Sequence, residues 1–215
     1  MTNENQTDLF KKLDFQYHKP KSHIVQIGDP VLKKKSLPVP KEELNSKLVK
    51  NTIEVLKDII NRYNAVGVAA PQIGVPLKIT CVQLTEKQHK EYGFFARLTK
   101  AEPIPKQILI NPTYKPLTNE TMTFNEGCLS MLGFSAMVPR FKEIEVEYTK
   151  EDGELSIWRA KNYTARILQH EIDHLEGKLF VEKMKPESLA FGFWEMVNQL
   201  EGNFSHNFAP NQLEP

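Results

Sequence analysis

The sequence predicts an α+β protein. Helix-period and strand-period stretches are both present, the strands cluster in the middle of the chain, and the two do not alternate as βαβ units would.

The elements follow in order. Residues 1–22 read as a polar extension with at most a short helix over 9–13. Over 41–63, Leu44, Leu48, Val49, Leu56, Ile59, Ile60 and Tyr63 recur at helical spacing with no Gly or Pro between them, which predicts the first helix. Apolar, β-branched runs predict strands over 77–84, 107–117, 121–125, 141–149 and 155–160. Asp152-Gly153, between EIEVEYT and LSIW, predicts a hairpin, so the strands should form antiparallel sheets. Residues 87–105 carry two prolines and read as an irregular surface excursion. Helices are predicted over 161–175 and 186–200, the latter with Pro186 in its first turn. Residues 23–200 are expected to form one domain and 201–215 a tail.

The 28 basic and 27 acidic side chains nearly cancel, so no strong field draws in nucleic acid or an anionic membrane. No apolar run approaches the roughly 18 residues of a membrane span. The first twenty residues hold no Arg and include Glu4, Asp8 and Asp14, unlike a secretory signal or an intact mitochondrial transit peptide. Two cysteines, Cys81 and Cys128, are too few for a disulfide scaffold. Cys81, within LKITCVQL, reads as a small buried hydrophobe.

Chemistry concentrates in His170-Glu171-Ile172-Asp173-His174. On a helix, histidines four residues apart share a face and can bind one ion, with Glu171 beside them to handle a proton. A catalytic site of this kind needs a third protein ligand and one position left for water. The extended pattern HExxHxxGxxH fails, because Gly177 matches but Phe180 stands where the third histidine would be. Glu195, downstream in FWEMVNQL, reads better as a solvated helix residue. Cys128, in Glu126-Gly127-Cys128-Leu129-Ser130, is the favoured third ligand, because its polar neighbours suit a core cysteine poorly.

GVAAPQ, EGCLS and QHEIDH, in that order, resemble the three signature segments of peptide deformylases. The resemblance runs from about residue 23 to 198 and includes GDPVL, INP and VPR; its stretch ARILQHEIDHLEGKLFVEKM is most similar to the mitochondrial-type branch of animals and plants. Two departures stand out: Ala65 where many members have Gly, and Leu132-Gly133-Phe134 where many bacterial members have a Pro-containing turn.

The resemblance implies antiparallel sheets packed around a central helix carrying HExxH, and hydrolysis of the N-formyl group of new polypeptides with release of formate. It implies that Cys128, His170 and His174 hold one divalent ion, Fe2+ in many members, with Zn2+, Ni2+ or Co2+ able to replace it. Glu171 would act as base and then acid, while the Gln72 amide and the Leu129 N–H stabilise the oxyanion. Val66, Gly67 and Val68 would pair with the substrate main chain, and Gly127, with Ile167 and His170, would line the methionine pocket. Glu126 is a candidate for orienting a ligand imidazole. The implied partners are formyl-methionyl nascent peptides, with transient ribosome proximity but no specific nucleic acid and no membrane. The implied location is mitochondrial, with a cytoplasmic alternative. Two other readings are an HExxH endopeptidase and a non-catalytic relative that binds nascent chains.

Overall fold

The computed structural model describes residues 19–209. Its first helix, α1 (Lys47–Arg62), begins later than periodicity alone predicts, because the Ser46 hydroxyl accepts from Val49 N and caps it. Residues 41–43 form a separate 3-10 turn. The predicted helix over 9–13 lies outside the described residues.

Strands β1 (Gly67–Ala69), β2 (Ile79–Leu84), β3 (Ile104–Pro116), β4 (Thr121–Cys128), β5 (Met131–Phe141), β6 (Glu143–Thr149), β7 (Leu155–Lys161) and β8 (Ala190–Phe191) build two sheets. One has the order β1-β2-β3-β6-β7 and the other β4-β5-β8; all neighbours are antiparallel. The hairpin at Asp152-Gly153 joins β6 to β7 in the register Thr149↔Leu155.

Side chains alternate across the larger sheet, as a period of two requires. Ile79, Cys81, Ile108 and Ile110 meet α1 through Val49, Ile53, Leu56 and Ile60. Val82, Leu109, Ile144 and Val146 face the opposite way, toward α3 (Asn162–Leu175). Cys81 is therefore the buried hydrophobe its sequence context suggests.

Helix α3 contacts β1, β2 and β3 as well as β5, β6 and β7, so it lies at the centre of the fold with a sheet on either side. From Ala165 to Leu175 it is buried on nearly all sides, charged residues included. Among the described residues no helix is long and apolar enough to cross a membrane.

Three parts of the sequence reading are corrected. The excursion over 87–105 contains a helix, α2 (Glu86–Thr99), closed at its start by reciprocal Thr85 and Gln88 hydrogen bonds; Gly93, non-helical at φ 46°, interrupts its periodicity. Strand β5 was absent from the expectation because Gly133 and Pro139 break its alternation. The helix predicted over 186–200 splits into a 3-10 turn, β8 and the short α4 (Trp194–Gln199), because Phe191 and Ala190 pair with β5 instead.

Candidate active site

Helix α3 turns His170 and His174 onto one face, their ring centroids 5.0 Å apart. Cys128 reaches them from the end of β4. There the ladder slips between Gly127, opposite Ser135, and Cys128, opposite Met131, which turns the thiol away from the regular strand. Cys128 Sγ lies 3.3 Å from His174 Nε2. The ligand atoms of Cys128, His170 and His174 all fall within 4.8 Å of one another. Glu195 is exposed on α4 and outside this group, whereas Phe180 lies buried and stacks against the His170 ring at 6.5 Å.

His170 is oriented from behind. Its Nδ1 hydrogen bonds to Glu126 Oε2 at 3.2 Å, which leaves Nε2 for the cleft. Glu126 is gripped by Arg140, through Nε at 3.0 Å and Nη2 at 2.8 Å, and by Arg166 Nη2 at 2.6 Å. Arg140 also contacts Asp173, which accepts from Lys183 Nζ at 2.7 Å. Arg166 donates further to the carbonyls of Met122, Phe124 and Val138. Burial works against ionisation of Glu126, but hydrogen bonds from His170 and Arg140 outweigh it and hold its carboxyl down to about 2.

Sequence alone offers Glu126 as a candidate for orienting an imidazole and gives no role to Arg140, Arg166 or Asp173. The available signal was position: Arg140 lies in VPR and Arg166 in ARIL, within the resembling stretches. A buried guanidinium must have a carboxylate partner, but burial is not visible in the sequence.

Glu171 points the other way, against β1. A Cβ built on Gly67 would come within 2.6 Å of Glu171 Cδ, so glycine there makes room for the carboxylate. Burial pushes the Glu171 carboxyl up to about 7, and among the described residues its Oε2 has no hydrogen-bond partner. Burial also favours neutral His170, but hydrogen bonds to Cys128 and Glu126 overcome this and raise its pKa; burial, then the His170 charge, lowers that of His174. These features fit a divalent cation. The donor set is one thiol and two imidazoles, which suits such an ion, and the lowered pKa of His174 keeps that imidazole neutral, as a ligand must be.

Gln72 is buried in the 3-10 turn after β1. Its Oε1 accepts from Ala69 N at 2.9 Å, which fixes the amide so that Nε2 faces Ser130 Oγ at 3.2 Å and Cys128 Sγ at 3.5 Å. Leu129 lines the same cleft, and its carbonyl accepts from Gln26 Nε2 at 2.9 Å.

The cleft encloses about 450 Å³ and brings together Val66, Gly67, Gln72, Gly127, Ile167 and His170. Val68 does not join them. It is fully buried in the core, and its carbonyl accepts from Thr80 Oγ1. Strand β1 is an edge strand, and Val66 O accepts from Gln83 N on the β2 side. By antiparallel alternation Gly67 turns its N–H and C=O to the open edge, whereas Val68 turns its own toward β2. Ala65, at the cleft rim, takes no positive φ and so does not require glycine for its backbone.

The family model described as polypeptide deformylase matches residues 21–189. A human protein, "Peptide deformylase, mitochondrial", is 37% identical over 180 residues, covering 83% of this chain and 74% of its own length. A tomato (Solanum lycopersicum) protein, "Peptide deformylase 1A, chloroplastic", is 42% identical over 170 residues, covering 77% of this chain and 60% of its own length. Among solved structures, a Met-Ala-Ser-bound class I type b peptide deformylase from Acinetobacter baumannii is similar, with a TM-score of 0.66, 29% identity and coverage of 75% of this chain and 96% of that one.

Proposed function

The chain belongs to the polypeptide deformylase family, and from that premise we propose how its cleft removes the formyl group from formyl-methionine at the start of new polypeptides. As a member it is a metal-dependent hydrolase of a linear amide. The observation that carries the site reading is the convergence of Cys128, His170 and His174 within 4.8 Å, with Glu171 on the same helix turn.

Cys128 Sγ and the Nε2 atoms of His170 and His174 would hold one divalent ion, with Fe2+ as the proposed physiological choice and zinc, nickel or cobalt as substitutes. When bound, such an ion polarises the formyl oxygen and lowers the pKa of a water from about 16 to about 7. Glu171 takes the attacking water's proton and passes it to the amine nitrogen as the C–N bond breaks, releasing formate and a free N-terminus. Its raised pKa suits both directions of that transfer. Gln72 Nε2, already aimed at the cleft by the Ala69 hydrogen bond, and Leu129 N–H meet the oxyanion.

The formylated peptide adds as a strand along the open edge of β1 through Gly67, beside Val66, with the methionine side chain between Gly127 and Ile167. Residues 23–200 act as one catalytic domain. The site of action is an organelle, as for the human and plant relatives, and more specifically the mitochondrion, with transient ribosome proximity to meet the nascent chain.

The test is formate release from formyl-Met-Ala-Ser by enzyme loaded anaerobically with Fe2+, or with nickel. A fully loaded preparation, verified by elemental analysis, that releases no formate would sink the proposal.

A further inference from the structure

The family match ends at residue 189, yet the chain continues through β8 and α4 and folds back onto the cleft wall. Gly192 N donates to Gly133 O at 2.7 Å, and the β5–β8 ladder sets Phe134 opposite Phe191 and Ser135 opposite Ala190. The rings of Phe134 and Phe191 lie 5.1 Å apart. Gly133 has φ +84°, and a Cβ there would come within 2.6 Å of Phe191 Cε2, so this approach requires glycine.

Behind Phe191 the stack continues. Its ring meets Phe193 edge-on at 5.7 Å and Phe204 at 6.2 Å, and Phe193 lies 4.8 Å from the His206 ring. Phe204 and His206 belong to the stretch expected from sequence to be a tail. Phe134 is thus backed by a wall of rings. It nevertheless keeps 38% of its surface exposed and lines the same cleft as Glu171 and His170.

We infer that Phe134, positioned by Phe191 and the arm over 190–206, is a specificity-determining residue that selects apolar or aromatic side chains just downstream of the formyl-methionine. This rests on the deformylase reading above. An exposed ring that cannot retreat offers apolar area and edge or offset stacking to such a side chain. A charged side chain at the same place loses water and gains no partner. A cleft of about 450 Å³ leaves room beyond the methionine side chain for this contact. One apolar contact of this size supports discrimination of about tenfold.

The experiment compares kcat/KM for two peptide series, formyl-Met-X-Ser and formyl-Met-Ala-X, with X as Phe, Leu, Ser or Asp, using the full-length metal-loaded enzyme. In one series Phe and Leu are expected to exceed Ser and Asp by about tenfold. Phe134→Ala should bring that ratio near one, Phe134→Leu should keep most of it, and Phe191→Ala should give an intermediate value. Metal content and melting temperature, recorded for every variant, separate this from a folding defect. Equal use of all X by the unaltered enzyme, or a ratio that survives Phe134→Ala, overturns the inference while leaving deformylation intact. No formate from any peptide overturns both.

Discussion

Gly67 and Glu171 fit together so closely that a methyl group cannot be placed between them: a Cβ on Gly67 would lie 2.6 Å from Glu171 Cδ and 2.8 Å from its Cγ. The edge proposed to receive the substrate and the carboxylate proposed to move the proton are thereby held in one arrangement. Gly67→Ala should displace Glu171 without touching the metal ligands. A misplacement of about 1 Å lowers turnover by roughly a hundredfold. Formate release should fall by that order while elemental analysis still finds one metal per chain; loss of metal along with activity would refute the separation.

Glu171 itself should divide activity from stability. Glu171→Gln should keep the metal and lose turnover by about two to four orders of magnitude. In chelator-treated protein the same variant should be the more stable one near neutral pH. The folded-state carboxyl lies at about 7, above its ordinary 4.5, so the stability associated with its protonated form is complete below about 4.5 and is lost as pH rises toward 7. That shift corresponds to about 3 kcal/mol. Denaturant titrations at pH 4.5 and 8 should show the gap between Glu171→Gln and the unaltered protein opening with pH; a constant gap would contradict the buried-carboxylate account.

The convergence of Cys128, His170 and His174 is legible in the sequence because ligand chemistry is local. His170 and His174 share a face by helix period alone, and Cys128 stands among residues that suit a core poorly. Val68 was misplaced because three neighbouring residues of one strand cannot all present their backbone to the same edge, and the direction in which β1 pairs is set by β2. Strands β5 and β8 and helix α2 escaped because Gly133, Pro139, Gly192 and Gly93 interrupt the periods by which they would be found. The hold of Arg140 and Arg166 on Glu126 was hidden for a different reason: arginine in a sequence reads as surface, and only the closure of the two sheets around α3 buries it.

Removing Glu126 tests that hold. Glu126→Ala leaves Arg140 and Arg166 buried without this carboxylate, which is expected to destabilise the fold by about 3–5 kcal/mol. Glu126→Gln should be milder in stability and lower metal affinity by roughly 10–100-fold, because the His170 ring loses its charged support. Competition with a chelator measures the second effect. Unchanged affinity in Glu126→Gln would show that His170 needs no such partner.

Acid should act on the same residue. The Glu126 carboxyl is held at about 2, below its ordinary 4.5, so its stabilising contribution is present above about 4.5 and disappears as pH falls toward 2. Acid unfolding of the metal-free protein should therefore be shifted to higher pH in Glu126→Gln. Coincident acid transitions would place the controlling carboxylate elsewhere.

The two cysteines should differ sharply in reactivity, because one lies in the core and the other in the cleft. Cys81 is fully buried between β2 and α1, and burial pushes its thiol up to about 12, so almost none is thiolate at neutral pH. Cys128 is partly exposed in the cleft, 3.3 Å from His174 Nε2. An alkylating reagent added to chelator-treated protein at pH 7 should modify Cys128 alone, and metal added beforehand should protect it, since a ligated thiolate is no longer free to react. Cys81 should become reactive only in denaturant. Peptide mapping by mass spectrometry reads both sites at once. Labelling of Cys128 at the same rate with and without metal would remove it from the ligand set, because no other part of the arrangement predicts metal-dependent protection of that thiol.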